Sequence, residues 1–142
     1  MDKESLESIK KVVDHYAKLI NVHTYHLTYG FSKDFAIPHI EVDETGYHYA
    51  IVERGVELKR LTTTDLNELL FAIFDGITYE TALKYEVENR VENQDSRIIS
   101  FKKQEELLGV INEKWRMKQE LYHKEILKRS PYKRRTGNEG IS

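Results

Sequence analysis

Leu66, Leu69, Leu70, Ile73 and Phe74 recur at i, i+3, i+4, i+7 and i+8, the spacing that lays one apolar stripe along a helix. The stripe predicts a core helix. Thr63, Thr64 and Asp65 precede it, and Thr64 followed by Asn67 and Glu68 approximates a pattern that caps a helix N-terminus. Gly76 is expected to end it after Asp75. Nearer the start, Leu6, Ile9, Val13, Tyr16, Ala17 and Ile20 share one side of a second amphipathic helix, opposite Lys10, Lys11, Asp14 and Lys18. Between Asn21 and Ile37 no period holds. The tyrosine-rich piece from His23 to Phe31 reads equally as a short strand or an ordered loop.

Pro38 biases Ile37 toward extended backbone, so the chain enters residues 39–42 as a strand. A turn at Asp43-Glu44-Thr45-Gly46, a strand over 47–53, a turn at Arg54-Gly55 and a strand over 56–62 complete an antiparallel meander. Tyr47, Tyr49 and Ile51 alternate with His48, Ala50 and Val52, as in strands with two unequal faces. Three such strands need helices over one face to be stable in water. Beyond Gly76 a further helix is predicted over 79–92, carrying Ala82, Leu83, Val87 and Val91. Asn93-Gln94-Asp95 breaks it, and Ile98, Phe101, Leu107, Leu108 and Ile111 mark another helix over 96–111. A last helix starts near Asn112 or Glu113, bears Trp115, Tyr122 and Ile126, and ends before Pro131. The pattern gives an α+β domain over 1–132, a meander of three strands or so against about five helices, followed by a disordered basic tail over 133–142.

Composition narrows the function. The 142 residues include no cysteine, which excludes disulfides and thiolate metal sites. No apolar run nears the roughly 18 residues of a membrane span, and the start lacks a secretory h-region. These features lead us to expect a cytoplasmic protein with no membrane partner. The net charge of −2 hides an uneven distribution: residues 61–112 hold 10 acids and 5 bases, residues 113–142 hold 4 acids and 9 bases. Folded nucleic-acid binders carry a basic face along their core elements, and here the central elements are acidic. That argues against nucleic acid, and leaves Lys124, Lys128, Arg129, Lys133, Arg134 and Arg135 as the residues such a regulator would use.

Glu80, Glu88, Glu92 and Asp95 are the candidate partner-facing patch, weighed against an ordinary solvated helix face. Glu86, Arg90 and Arg97, with Asp95 nearby, are expected to form a structural polar network between helices. Six histidines invite a metal, but His23 and His26 come without the further ligands that a tetrahedral zinc site needs. Glu41, Asp43 and Glu44 sit at a predicted turn, where acids cap turns rather than work as catalytic pairs. No nucleophile elbow or phosphate-cradling glycine loop is present. We therefore expect a non-enzymatic binder without cofactor, either an inhibitor or an adaptor module. Of Tyr25, Tyr29, Tyr47, Tyr49 and Trp115, most are expected in the core or at half-buried sheet positions, and one or two from the meander at the surface, where a partner or a homodimer would use them.

A set of short motifs sharpens this reading. Pro38 to Val42, Gly46 to Tyr49, Glu53 to Gly55, Thr63 to Leu70, Tyr85-Glu86 with Arg90, Asp95 with Arg97, and Phe101 with Gln104 together resemble the immunity protein 63 family of bacterial polymorphic-toxin systems, over roughly Tyr29 to Leu127. The resemblance implies an antitoxin that binds the C-terminal effector domain of a cognate secreted toxin, often a nuclease, and blocks it. An acidic centre is compatible with that role, because a surface that binds phosphates is basic.

Overall fold

The computed structural model describes residues 3–133 as an α+β chain of four strands and four helices in the order α1 (Leu6–Leu19), β1 (Thr28–Tyr29), β2 (Ile37–Asp43), β3 (Gly46–Glu53), β4 (Val56–Thr63), α2 (Leu66–Glu88), α3 (Ser96–Ile111) and α4 (Glu113–Arg129). The tail predicted to be disordered lies, from residue 134 onward, outside the described residues. Contacts divide the chain into two compact units, one ending at Asp75 and the other beginning at Gly76.

In the first unit the sheet order is β1-β2-β3-β4. The three long strands form the predicted meander, with Ile40 opposite Tyr49 and Tyr49 opposite Leu61. The undecided tyrosine-rich piece supplies β1, which pairs parallel to β2 through Thr28–His39 and Tyr29–Ile40. Both hairpins close on two residues. Arg54 and Gly55 take φ of 52° and 75°, the doubly left-handed turn whose twist matches the strands. At the other hairpin Asp43 caps the turn as predicted, accepting from the Thr45 N–H at 2.8 Å. Gly46, at φ 132°, admits no side chain, since a Cβ would stand 2.6 Å from the Thr63 carbonyl oxygen. On β4 a register shift opposite Ile51/Val52 interrupts the ladder, and such an irregularity on an edge strand discourages pairing with another chain.

Ile40, Tyr47 and Tyr49 share one face of the sheet with Tyr29, and they are buried together with Ile9 and Val13 of α1 and Leu69, Ile73 and Phe74 of α2. Tyr47 and Tyr49, of which at least one is expected at the surface, are 2% and 3% exposed, because the central strand is covered on both faces. The Tyr47 hydroxyl is satisfied by the Glu4 N–H at 2.8 Å. Burial, with Asp14 nearby, pushes the Tyr29 hydroxyl up to about 12. Ser5 caps α1 through the Ser8 N–H, and Asn21 at φ 55° ends it, with the Val22 N–H returning to the Ala17 carbonyl.

Gly76 does not end a helix. Residues predicted as two helices form the single α2 of 23 residues, so four helices replace the expected five. A glycine in a helix interior costs about 1 kcal/mol relative to alanine, and burial of Ile73, Phe74, Ile77 and Thr78 on either side of it outweighs that cost at about 1.5–3 kcal/mol per large apolar side chain. Asp65, rather than Thr64, caps the start, accepting from the Asn67 N–H at 2.9 Å.

In the second unit α3 and α4 meet at Asn112, whose side chain caps α4 through the Lys114 and Trp115 N–H groups. Partners pair in reverse order, Gln104 with Gln119 and the earlier Arg97 with the later Ser130, so the two helices run antiparallel. The apolar core here is small, consisting of Ile77, Ala82, Leu107, Leu108 and Trp115 among the described residues.

Candidate partner-binding surface

The C-terminal half of α2 carries two stripes at i, i+4, i+8. Thr78, Ala82 and Glu86 are buried, whereas Tyr79, Leu83 and Val87 are 53%, 42% and 64% exposed. Glu80 and Glu88 stand exposed on the same outward side, and Glu92 is exposed in the loop beyond the helix, next to Val91. Three of the four predicted partner-facing acids are therefore on the surface. Glu80 and Glu88 lie beside an apolar stripe whose Leu83 and Val87 the sequence pattern placed on the predicted helix over 79–92. The i, i+4 spacing was visible, but spacing alone does not say which of two stripes on one helix faces inward.

Asp95 is different. It was expected on the partner-facing patch and is instead 7% exposed, with both carboxylate oxygens engaged inside the chain. Oδ1 accepts from the Arg97 backbone N–H and Nε at 3.0 and 3.1 Å, and Oδ2 accepts from Arg97 Nη2 at 3.0 Å and from the Lys133 N–H at 2.8 Å. It is the N-cap of α3. The Arg97 guanidinium, together with the two backbone donors, holds its carboxyl well below the usual range against the opposing effect of burial.

The expected network of Glu86, Arg90 and Arg97 resolves into two separate clasps. Glu86, 4% exposed, receives Arg90 in a bidentate pair at 3.0 and 2.7 Å, and this pairing lowers its pKa against burial. The pair joins the last turn of α2 to the residue two beyond its end. Arg97, besides gripping Asp95, donates to the Ser130 and Pro131 carbonyls at 2.9 and 3.0 Å, and so ties the chain leaving α4 to the start of α3. Its guanidinium also lies over the rings of Phe101 and Tyr132, 5.9 and 5.6 Å from their centroids.

Behind this surface the unit holds a buried chain of polar side chains. Gln104 donates to Thr78 Oγ1 at 3.2 Å, Gln119 donates to Gln104 Oε1 at 3.1 Å, and His123 meets Gln104 and Gln119 through Nε2 and Glu105 through Nδ1 at 2.6 Å. Phe101 stacks flat on His123 with centroids 3.9 Å apart. Phe101 and Gln104, which the motif pattern singled out, are thus interior packing and hydrogen-bonding positions. Among the described residues no group of three or more histidine and acid side chains is placed to hold a metal ion. In that same set no helix is long and apolar enough to cross a membrane.

The arrangement presents an exposed apolar stripe on α2 with exposed acids beside it. The family model described as immunity protein 63 matches residues 43–125, more than half of the chain. The chain belongs to the immunity protein 63 family. Membership in an immunity protein family implies a toxin as partner. The match begins at the Asp43 turn and ends in α4, so it spans the β3–β4 hairpin, all of α2 and α3, and the polar chain through His123. No curated protein and no solved structure matches the chain.

Proposed function

We propose that this immunity protein neutralises the effector domain of a cognate secreted polymorphic toxin by stoichiometric occlusion, in the cytoplasm of the producing cell, without turnover or cofactor. The observation that supports this reading is the outward stripe Tyr79, Leu83 and Val87 with Glu80 and Glu88 alongside it and Glu92 just beyond the helix end. An apolar centre with a charged rim is the usual anatomy of a protein interface. The adjoining stripe of the same helix is buried, with Thr78 held by Gln104, so the outward side chains are presented on an anchored element, which limits what ordering costs on binding. The excess of acids fits a basic target, and a nuclease effector is the class that this charge suits best.

Co-expression with the toxin encoded beside it is the test. Growth should be restored by the chain at equimolar dose, and the two proteins should co-purify as one complex. Failure of both would remove the reading.

A further inference from the structure

Two outward helix faces of the second unit share one design with opposite charge. On α2, Leu83 and Val87 are exposed four residues apart, with Glu80 before them and Glu88 after them. Together with Lys84 and Glu88 they line an open hollow of about 290 Å³. On α4, Lys114, Met117, Leu121, Lys124 and Lys128 recur at i, i+3, i+7, i+10 and i+14 and are all exposed, which makes one stripe of the helix. That stripe lies opposite Trp115, Gln119 and His123, the residues α4 buries. Met117 and Leu121, 53% and 64% exposed, are again an apolar pair four residues apart. The rise between such residues is about 6 Å on either helix, so the side chains of one pair can interdigitate with those of the other. The charge balance differs in sign: residues 76–88 carry three acids and one base, whereas α4 carries six bases and three acids. Lys124 and Lys128 are paired at 3.0 Å with Glu120 and Glu125 of their own helix, but exposed pairs of this kind are worth little and give way to an acid brought in by a partner.

We propose that the α4 face of a second copy of this chain covers the α2 face, with Met117 and Leu121 entering the hollow at Leu83 and Val87 and with Lys114 and Lys124 beside Glu80 and Glu88. Charge complementarity selects a second copy over other occupants. A nucleic acid would satisfy the lysines, yet it would leave Met117 and Leu121 in water and the α2 stripe uncovered. A second copy matches both faces through one contact, apolar against apolar and acid against base. The contact does not depend on the toxin-neutralising reading. Where that reading holds, toxin and second copy compete for α2, and self-association keeps the stripe out of water until a toxin takes it.

Sedimentation of the full chain without toxin is the test. The average mass should rise with concentration across the micromolar range and fall back toward the monomer as salt is added. Two charge-reversed chains are then compared, one with Glu80→Lys, Glu88→Lys and Glu92→Lys, the other with Lys114→Glu, Lys124→Glu and Lys128→Glu, each checked for its fold by circular dichroism. Each alone should lose at least about tenfold in self-affinity. Mixed, they should associate again, because each reversed face meets its complement on the other chain, a gain that misfolded variants would not show. A wild type that stays monomeric across that range overturns the proposal, as does self-association that the α4 reversal leaves unchanged, or a mixture of folded variants that stays apart. A monomeric wild type that binds a DNA duplex through the α4 lysines also overturns it and assigns that face to nucleic acid. Failure to neutralise a toxin is read separately, since no arm of this experiment contains one.

Discussion

The two units of the chain are held together by different chemistry. Up to Asp75 the interior is mainly apolar, with Ile9, Val13, Ile40, Tyr47, Leu69, Ile73 and Phe74 all at 2% exposure or less beside the buried polar residues Thr28, His39 and His48, and its stability follows chiefly from area removed from water. Beyond Gly76 the interior is substantially polar: Thr78, Glu86, Asp95, Ser100, Gln104, Gln119 and His123 are all buried there. A buried hydrogen bond adds little net stability, but leaving one partner unmatched is expensive. The first unit should therefore tolerate sliding and repacking of similar shapes. The second should accept one alignment of its helices and penalise others, which is what an outward face of fixed geometry requires.

The largest expected effect breaks the apolar side. Phe74→Ala, at a position with no exposure, should cost about 3–5 kcal/mol in urea unfolding followed by circular dichroism. Next comes the polar side. Gln104→Ala removes the link between Thr78, Gln119 and His123 and should cost about 2–3 kcal/mol. The double substitution Gln104→Leu with Gln119→Leu should recover part of that loss, because removing both partners of a buried bond is cheaper than removing one. Equal losses for the single and double variants would mean that packing volume, not hydrogen bonding, holds this unit.

A smaller effect tests the Asp95 clasp by pH. Asp95 has a carboxyl lowered mainly by Arg97, so its contribution is fully present above the unfolded aspartate value of about 3.9 and is lost as pH falls below that toward the lower folded value. Asp95→Asn should destabilise the chain by about 2 kcal/mol at neutral pH. The gap from wild type should close on acidification below about pH 4. Asp43, lowered chiefly by the Thr45 hydroxyl and also by His48, titrates with the same sign in the first unit, so Asp43→Asn provides the matched control. A gap for Asp95→Asn that stays constant down to pH 2 would show that its carboxylate charge does not matter.

The same contrast explains what could be read in advance. The apolar unit declared itself through period: the Leu66–Phe74 stripe, the alternation over Gly46–Glu53 and the two glycine turns all emerged as helix, strand and hairpins. The motifs also identified the family. The polar unit was harder to read. Nothing in the spacing of Thr78, Gln104, Gln119 and His123 distinguishes buried amides from surface ones, because the signal is reciprocal hydrogen bonding across three helices and not periodicity. Asp95 was read both as a surface acid and as a neighbour of the polar network: Arg97 stands two residues on, whereas the Lys133 backbone N–H reaches it only when α3 and α4 pair. Gly76 read as a stop because a local penalty is visible in sequence and the burial that offsets it is not.

The central claim is that the acidic, apolar-centred face of α2 meets the toxin. Glu80, Glu88 and Glu92 are exposed, so reversing all three to lysine should leave the stability of the free chain within about 0.5 kcal/mol. The decisive measurement is the association rate of this triple variant with the cognate effector domain across a salt series. We predict that association slows by at least about tenfold at low ionic strength and that the difference from wild type shrinks as salt rises. Association equal to wild type at every salt concentration would contradict the account.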